Sequence, residues 1–270
     1  MKKPLARYSK MKQLIRLGPA GSDGNTLKGI QHAKDIGLHA LEIEFTHGVN
    51  MSNELAKEAG NLAEKLGIKL SIHAPYFINL ASEDKEKIEN SKKRLLLCCE
   101  RAHYLKARYV IFHAGYYGKR DKEEAYQIMK ESLKDLIRRN THKEVSLICE
   151  TSGKTGSFGN LDELLRLRKE IGVDICVDFG HVYAIQQGKI DYSEVLSHFK
   201  GKHLHSHFTG IEYGEKGERR HINMSKPDFK ELAEELIKNK QDITIISESP
   251  ITWEDSLKQK EILEKIGYHF

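Results

Sequence analysis

Eight times along the chain, a short apolar run rich in β-branched residues gives way to a longer stretch of helical period, and no other feature restricts the fold so tightly. Such alternation marks repeated βα units built on a parallel sheet. The pattern predicts strands over residues 13–17, 40–44, 69–73, 109–113, 145–150, 173–178, 202–207 and 243–248. Amphipathic helices are predicted between them over 52–66, 85–105, 123–139, 161–170, 228–239 and 256–266. Gly37, Gly67 and Gly172 follow helical runs and open the next strand, where a left-handed residue ends a helix at little cost. Eight units in 270 residues fit one (β/α)8 TIM barrel, so the expected class is α/β with a single domain over residues 1–270. No Pro-rich or Ser-rich linker divides it.

Several function classes drop out early. The basic start of the chain lacks an apolar core with a cleavage site, and no run is long enough to span a bilayer, so a cytoplasmic location without a membrane partner is expected. Cys98, Cys99, Cys149 and Cys176 show no CxxC spacing and are expected to be reduced and structural. The segment Gly153-Lys154-Thr155-Gly156 lacks the spacing of a nucleotide-binding loop. A net charge of +5 favours a polyanionic partner without identifying one.

Chemistry concentrates where the strands end. His73, His113, Glu150, Asp178, His205 and Glu248 each fall at the C-terminal end of a different predicted strand, and in a parallel barrel those ends share one face. His181 follows Asp178 by three residues, His207 follows His205 by two, and His221 lies further along the 206–227 loop. Imidazoles mixed with carboxylates and no thiolate suit zinc, manganese or iron. A cluster of two or three ions is expected, with a carboxylate such as Glu150 bridging, and such clusters suit phosphoryl transfer. Basic residues lie in the same loops: Lys119, Arg120, Lys154, Lys216, Arg219 and Arg220. They could hold phosphates, and equally they could be solvated residues balanced by nearby acids. Tyr76, Phe77, Tyr116 and Tyr117 could stack on bases or simply cover the rim.

Taken together, these residues resemble the endonuclease IV family of abasic-site endonucleases, within the xylose-isomerase-like barrels. The matching stretches are Ser71-Ile72-His73-Ala74-Pro75-Tyr76-Phe77-Ile78-Asn79-Leu80, His113-Ala114-Gly115, Cys149-Glu150-Thr151-Ser152-Gly153, Val177-Asp178-Phe179-Gly180-His181, the run from His205 to Gly210, and Ser247-Glu248-Ser249-Pro250. The resemblance implies that Glu150 bridges two metals, with His73 and His113 on one and Asp178, His205 and Glu248 on the other. His181 and His221 would hold a third. It implies zinc, with manganese or iron as substitutes, and Glu150 and Glu248 as the catalytic carboxylates. The implied reaction cuts the phosphodiester 5′ to an abasic site in double-stranded DNA, leaving a 3′-hydroxyl and a 5′-deoxyribose phosphate, and also trims 3′-blocked ends. Tyr76, Lys154, Arg219 and Arg220 are the expected DNA contacts, and a monomer is expected. Two places depart from the family: Arg219 stands where the third site takes an Asp two residues before its histidine, with Glu218 beside it, and the loop after the second strand reads Phe45-Thr46-His47-Gly48-Val49-Asn50-Met51.

Two other readings compete. A sugar isomerase or epimerase on the same barrel would use Glu150, Asp178, His205 and Glu248 and leave the remaining histidines incidental. A non-catalytic protein could bind abasic or nicked DNA through a basic mouth.

Overall fold

The computed structural model describes residues 13–22 and 24–270; the basic stretch before residue 13 lies outside them. The strands are β1 (Ile15–Pro19), β2 (Ala40–Glu44), β3 (Lys69–His73), β4 (Tyr109–Phe112), β5 (Ser146–Glu150), β6 (Asp174–Asp178), β7 (Leu204–Phe208), β8 (Gly210–Gly214), β9 (Gly217–Ile222) and β10 (Ile243–Ser247). The helices are α1 (Thr26–Asp35), α2 (Asn53–Leu66), α3 (Lys85–Leu105), α4 (Lys122–Arg139), α5 (Leu161–Ile171), α6 (Phe179–Ile185), α7 (Tyr192–Ser197), α8 (Phe229–Asn239) and α9 (Thr252–Lys265).

Eight of these strands form one parallel sheet in the order β1-β10-β7-β6-β5-β4-β3-β2. The two ends meet through the His39 amide on Leu17 O at 2.9 Å and the Gly21 amide on Glu42 O at 3.0 Å, which closes a TIM barrel. Gly18 makes that seam possible, since a Cβ there would lie 2.0 Å from the Ala40 carbonyl oxygen. The predicted strands all appear. The sequence marks the end of α1 at Gly37 without bounding the helix; α6, α7 and the antiparallel hairpin β8–β9 were missed, and α9 starts four residues before its predicted start. Helix entries are capped by side chains: Ser52, Asp84, Asp121 and Asp228 each accept a first-turn amide, and Asn160 with Glu163 forms a full capping box. Each such cap typically stabilises by about 1 kcal/mol.

Two apolar regions hold the barrel. A large one packs strand faces against the helices through residues such as Leu41, Ile72, Val110, Phe112, Leu147 and Ile245. Inside the lumen, Ile111, Ile148 and Cys176 form a small separate cluster. Strand side chains alternate between faces, so the residue two steps after each of these also points inward, one layer nearer the C-terminal rim. Those residues are His113, Glu150 and Asp178. The apolar layer therefore serves as the floor of a polar one. No helix among the described residues is long and apolar enough to cross a membrane.

Candidate metal centre

Glu150 sits at the middle of the polar layer with no exposed surface. Its Oε2 lies 3.1 Å from His73 Nε2 and 3.4 Å from His113 Nε2. Its Oε1 lies 3.1 Å from His207 Nδ1 and 3.3 Å from His181 Nδ1. The two oxygens thus face two different sets of imidazoles. Three of the groups whose donor atoms lie within 4.8 Å of one another adjoin here: His73, His113 and Glu150; Glu150, Asp178, His207 and Glu248; and Asp178, His181 and His221. Among the residues expected from the sequence, His73, His113, Glu150, Asp178, His181, His221 and Glu248 are brought together.

His205 is not in that constellation. It points into the lumen one layer deeper, where its Nε2 meets Glu42 Oε2 at 3.0 Å and its ring lies 5.4 Å from that of Tyr109. His207 stands in its place, with Nδ1 3.3 Å from Glu248 Oε1. The predicted strand over 202–207 ends on His207, so strand-end logic alone favours it over His205. Sequence reading also passed over Glu42 and Glu44, two inward carboxylates at i and i+2 in the otherwise apolar β2. Glu42 is fully buried, and Glu44 ends β2 as His73 ends β3 and lines the cleft.

The hairpin explains the departure at Arg219. In β9, Arg220 pairs with Glu212 and Glu218 pairs with Tyr213, so Arg219 is the extra residue of a β-bulge. A bulge shifts the alternation by one, which turns an acid three residues before a histidine onto the histidine's face. Glu218 accordingly reaches His181 Nε2 at 3.4 Å and His221 Nε2 at 3.8 Å. Gly153 lets the hairpin approach: Glu218 N donates to Gly153 O at 2.7 Å, and a Cβ on Gly153 would lie 2.8 Å from both His181 Cδ2 and Glu218 Cβ.

Several orientations fit metal ions. His73, His181 and His221 each turn Nδ1 to a backbone carbonyl, of Ala74, Thr151 and Glu248, at 2.9, 2.9 and 3.1 Å. Such bonds leave the Nε2 lone pair as the free ligand, as metal-binding histidines require. The Nε2 atoms of His181 and His221 then face each other at 3.1 Å, a repulsive contact unless a cation lies between them. Asp178 Oδ2 is buried without a hydrogen-bond partner, although Oδ1 caps α6. Uncompensated acceptors of this kind call for a cation.

Without metal, protons fill that role. Burial alone would lower the pKa of His73, but Glu44, Glu150 and Glu248 raise it to about 10. His181 is likewise raised to about 10 against burial by Asp178, Glu150 and Glu218. Burial holds His113 near 4, so it is neutral at pH 7. Burial pushes Glu150 upward, but His113, His207 and the bond from His181 hold it well below the ordinary carboxylate range. Burial pushes Glu248 well upward, and the negative charges of Glu150 and Asp178 add to that despite His207. The raised histidines stabilise the metal-free fold fully below their unfolded value of about 6.5, and that contribution is lost as pH rises toward about 10. Metal must displace those protons. Zinc affinity measured by competition titration is therefore expected to rise by roughly 10- to 100-fold per pH unit between about pH 6 and 8. An affinity independent of pH would show that the imidazoles are already neutral.

Above the cluster opens a cleft of about 510 Å³. Tyr76 and Tyr116 stand at its wall, 60% and 56% exposed, and Lys154 is the one Lys or Arg among its described lining residues. Phe77 is also exposed, whereas Tyr117 is buried and donates to Glu163. Arg219 and Arg220 do not line the cleft; they lie in the exposed hairpin and pair with Glu212.

A closed parallel barrel with imidazoles and carboxylates clustered at its C-terminal mouth is the architecture of a TIM-barrel enzyme, with side-chain groups able to hold metal. The chain belongs to the xylose isomerase-like TIM barrel family, whose model matches residues 30–266. It is 34% identical over 264 residues to uncharacterized protein MJ0133 of Methanocaldococcus jannaschii, covering 90% of this chain and 95% of that one. It is 27% identical over 194 residues to the probable endonuclease 4 of Aquifex aeolicus, covering 66% and 67%. Among solved structures, endonuclease IV from Thermus thermophilus superposes with a TM-score of 0.71 at 21% identity over 93% of this chain and 98% of that one. A D-tagatose 3-epimerase-like protein gives 0.73 at 20% identity over 93% and 96%. Both structural likenesses concern the fold.

Proposed function

We propose that this chain is a metal-dependent endonuclease of base excision repair, hydrolysing the phosphodiester 5′ to abasic sites in double-stranded DNA and leaving a 3′-hydroxyl and a 5′-deoxyribose phosphate. One observation carries the reading: three adjoining donor groups, two of which share Glu150 and two of which share Asp178. Bound zinc, or manganese or iron in its stead, would supply an acidified water and charge stabilisation for the phosphate. In this reading His73 and His113 serve one ion, Asp178, His207 and Glu248 a second, and His181, His221 and Glu218 a third.

The chain's own groups do the rest. Glu150 holds the first two donor sets in register, because its two oxygens face them separately from a fully buried position. Tyr76 and Tyr116 offer rings on which bases flanking a lesion can stack. Lys154, at the cleft wall and 4.0 Å from Glu218, would hold a phosphate. Burial of the cluster on the barrel floor keeps its charges strong by limiting water. Trimming of 3′-blocked ends would use the same groups.

A second reading has an observation of its own. Glu44 lines the cleft with its Oε1 unpartnered, and a single lysine with no arginine in the described lining is little for a long polyanion, so a sugar's hydroxyls would also fit. A sugar epimerase needs only the group Glu150, Asp178, His207 and Glu248. Metal analysis separates the two: about two or three equivalents per chain are expected for the nuclease, while a single equivalent together with epimerisation of a ketose would replace it.

A further inference from the structure

At the middle of the barrel, Glu42 is a fully buried carboxylate, and none of the three donor groups above contains it. Ser71 Oγ donates to its Oε2 at 2.6 Å, and His205 Nε2 meets the same oxygen at 3.0 Å. Its other oxygen, Oε1, lies 2.8 Å from His207 Nε2, in the range of a charge contact though off the line of a hydrogen bond. The opposite nitrogen of that ring, Nδ1, faces Glu150 Oε1 and Glu248 Oε1. His207 thus bridges a buried carboxylate below and the donor cluster above.

We propose that Glu42 is a positioning residue: its carboxylate holds the His207 ring with Nε2–H turned down the barrel and Nδ1 presented to the group of Glu150, Asp178 and Glu248. The inference rests on the metal-centre reading, and it is independent of which substrate that centre serves. A histidine that binds metal gains orientation and basicity when its other nitrogen donates to a carboxylate. The neighbouring imidazoles of His73, His181 and His221 turn Nδ1 to backbone carbonyls and present Nε2, whereas His207 turns Nδ1 to the cluster. The inward ring of His207 faces across the lumen onto Glu42 of β2 and lies beside Cys176 of the neighbouring β6. Ser71 and His205 keep that partner in place from β3 and from the lower layer of β7. This gives His205, left without a ligand role, a task two steps from the metal.

Two measurements test it. Long-range ¹H–¹⁵N NMR of the zinc-loaded protein is expected to show His207 protonated at Nε2, with His73, His181 and His221 protonated at Nδ1. His207 protonated at Nδ1 would overturn the inference, and this measurement requires no substitution. Glu42→Gln should bind zinc roughly 10- to 100-fold more weakly than the parent, with partial recovery in Glu42→Asp. Parental zinc affinity in Glu42→Gln would remove the role from Glu42 alone, while a parent chain that binds no zinc would overturn the metal centre with it.

Discussion

Replacing Glu150 by glutamine is expected to lower the single-turnover incision rate by about three orders of magnitude or more, with the fold retained. Glutamine keeps the volume but removes the charge that both donor sets share. His73 and His113 on one side and His207 and His181 on the other lie 3.1 to 3.4 Å from the two carboxylate oxygens. An amide would offer one acceptor to one side and turn an NH2 toward the other. Metal content should fall together with rate, and circular dichroism should stay native, because the apolar floor of Ile111, Ile148 and Cys176 is untouched. Parental turnover by this variant would end the assignment of Glu150.

Glu218→Ala comes second, with an expected loss of about 100-fold in rate and one metal equivalent per chain. Glu218 is the carboxylate nearest the facing Nε2 atoms of His181 and His221, so its removal leaves that pair without a charge partner from the hairpin. The bulge supplies a companion result. Deleting Arg219 removes the extra residue and leaves Glu218 two positions before His221, which in a regular strand puts both on one face. The deletion is expected to keep the third equivalent. Its loss would mean that the bulge, and not the spacing, sets the site. Metal analysis of both variants after dialysis decides the matter.

The barrel was legible because its signal is periodic: most barrel strands are apolar runs of the right length, although β7, Leu-His-Ser-His-Phe, has no β-branched residue, and strand ends never moved by more than two residues. The short elements were not. Helix α6 begins directly after its N-cap Asp178, a residue whose strand-end role hid its capping role. The β8–β9 hairpin disappeared into what looked like a polar loop, although Gly214-Glu215-Lys216-Gly217 between alternating runs was a readable turn signal. At the site, His205 and His207 differ in depth: both face the lumen, the predicted strand end already favours His207, and the register of β7 against β10 and β6 places it at the rim. Glu42 went unnoticed because a carboxylate inside a barrel strand has no partner in its own segment. Its partners come from β3 and β7, and sequence spacing does not connect them.

Single-turnover cleavage of a DNA duplex carrying one tetrahydrofuran abasic analogue, by metal-loaded and by chelator-stripped protein, tests the proposed chemistry most directly. The analogue cannot undergo β-elimination, so incision on its 5′ side, lost on stripping and restored by zinc, is the expected result. A protein holding two or more metals that leaves this duplex intact would contradict the nuclease reading.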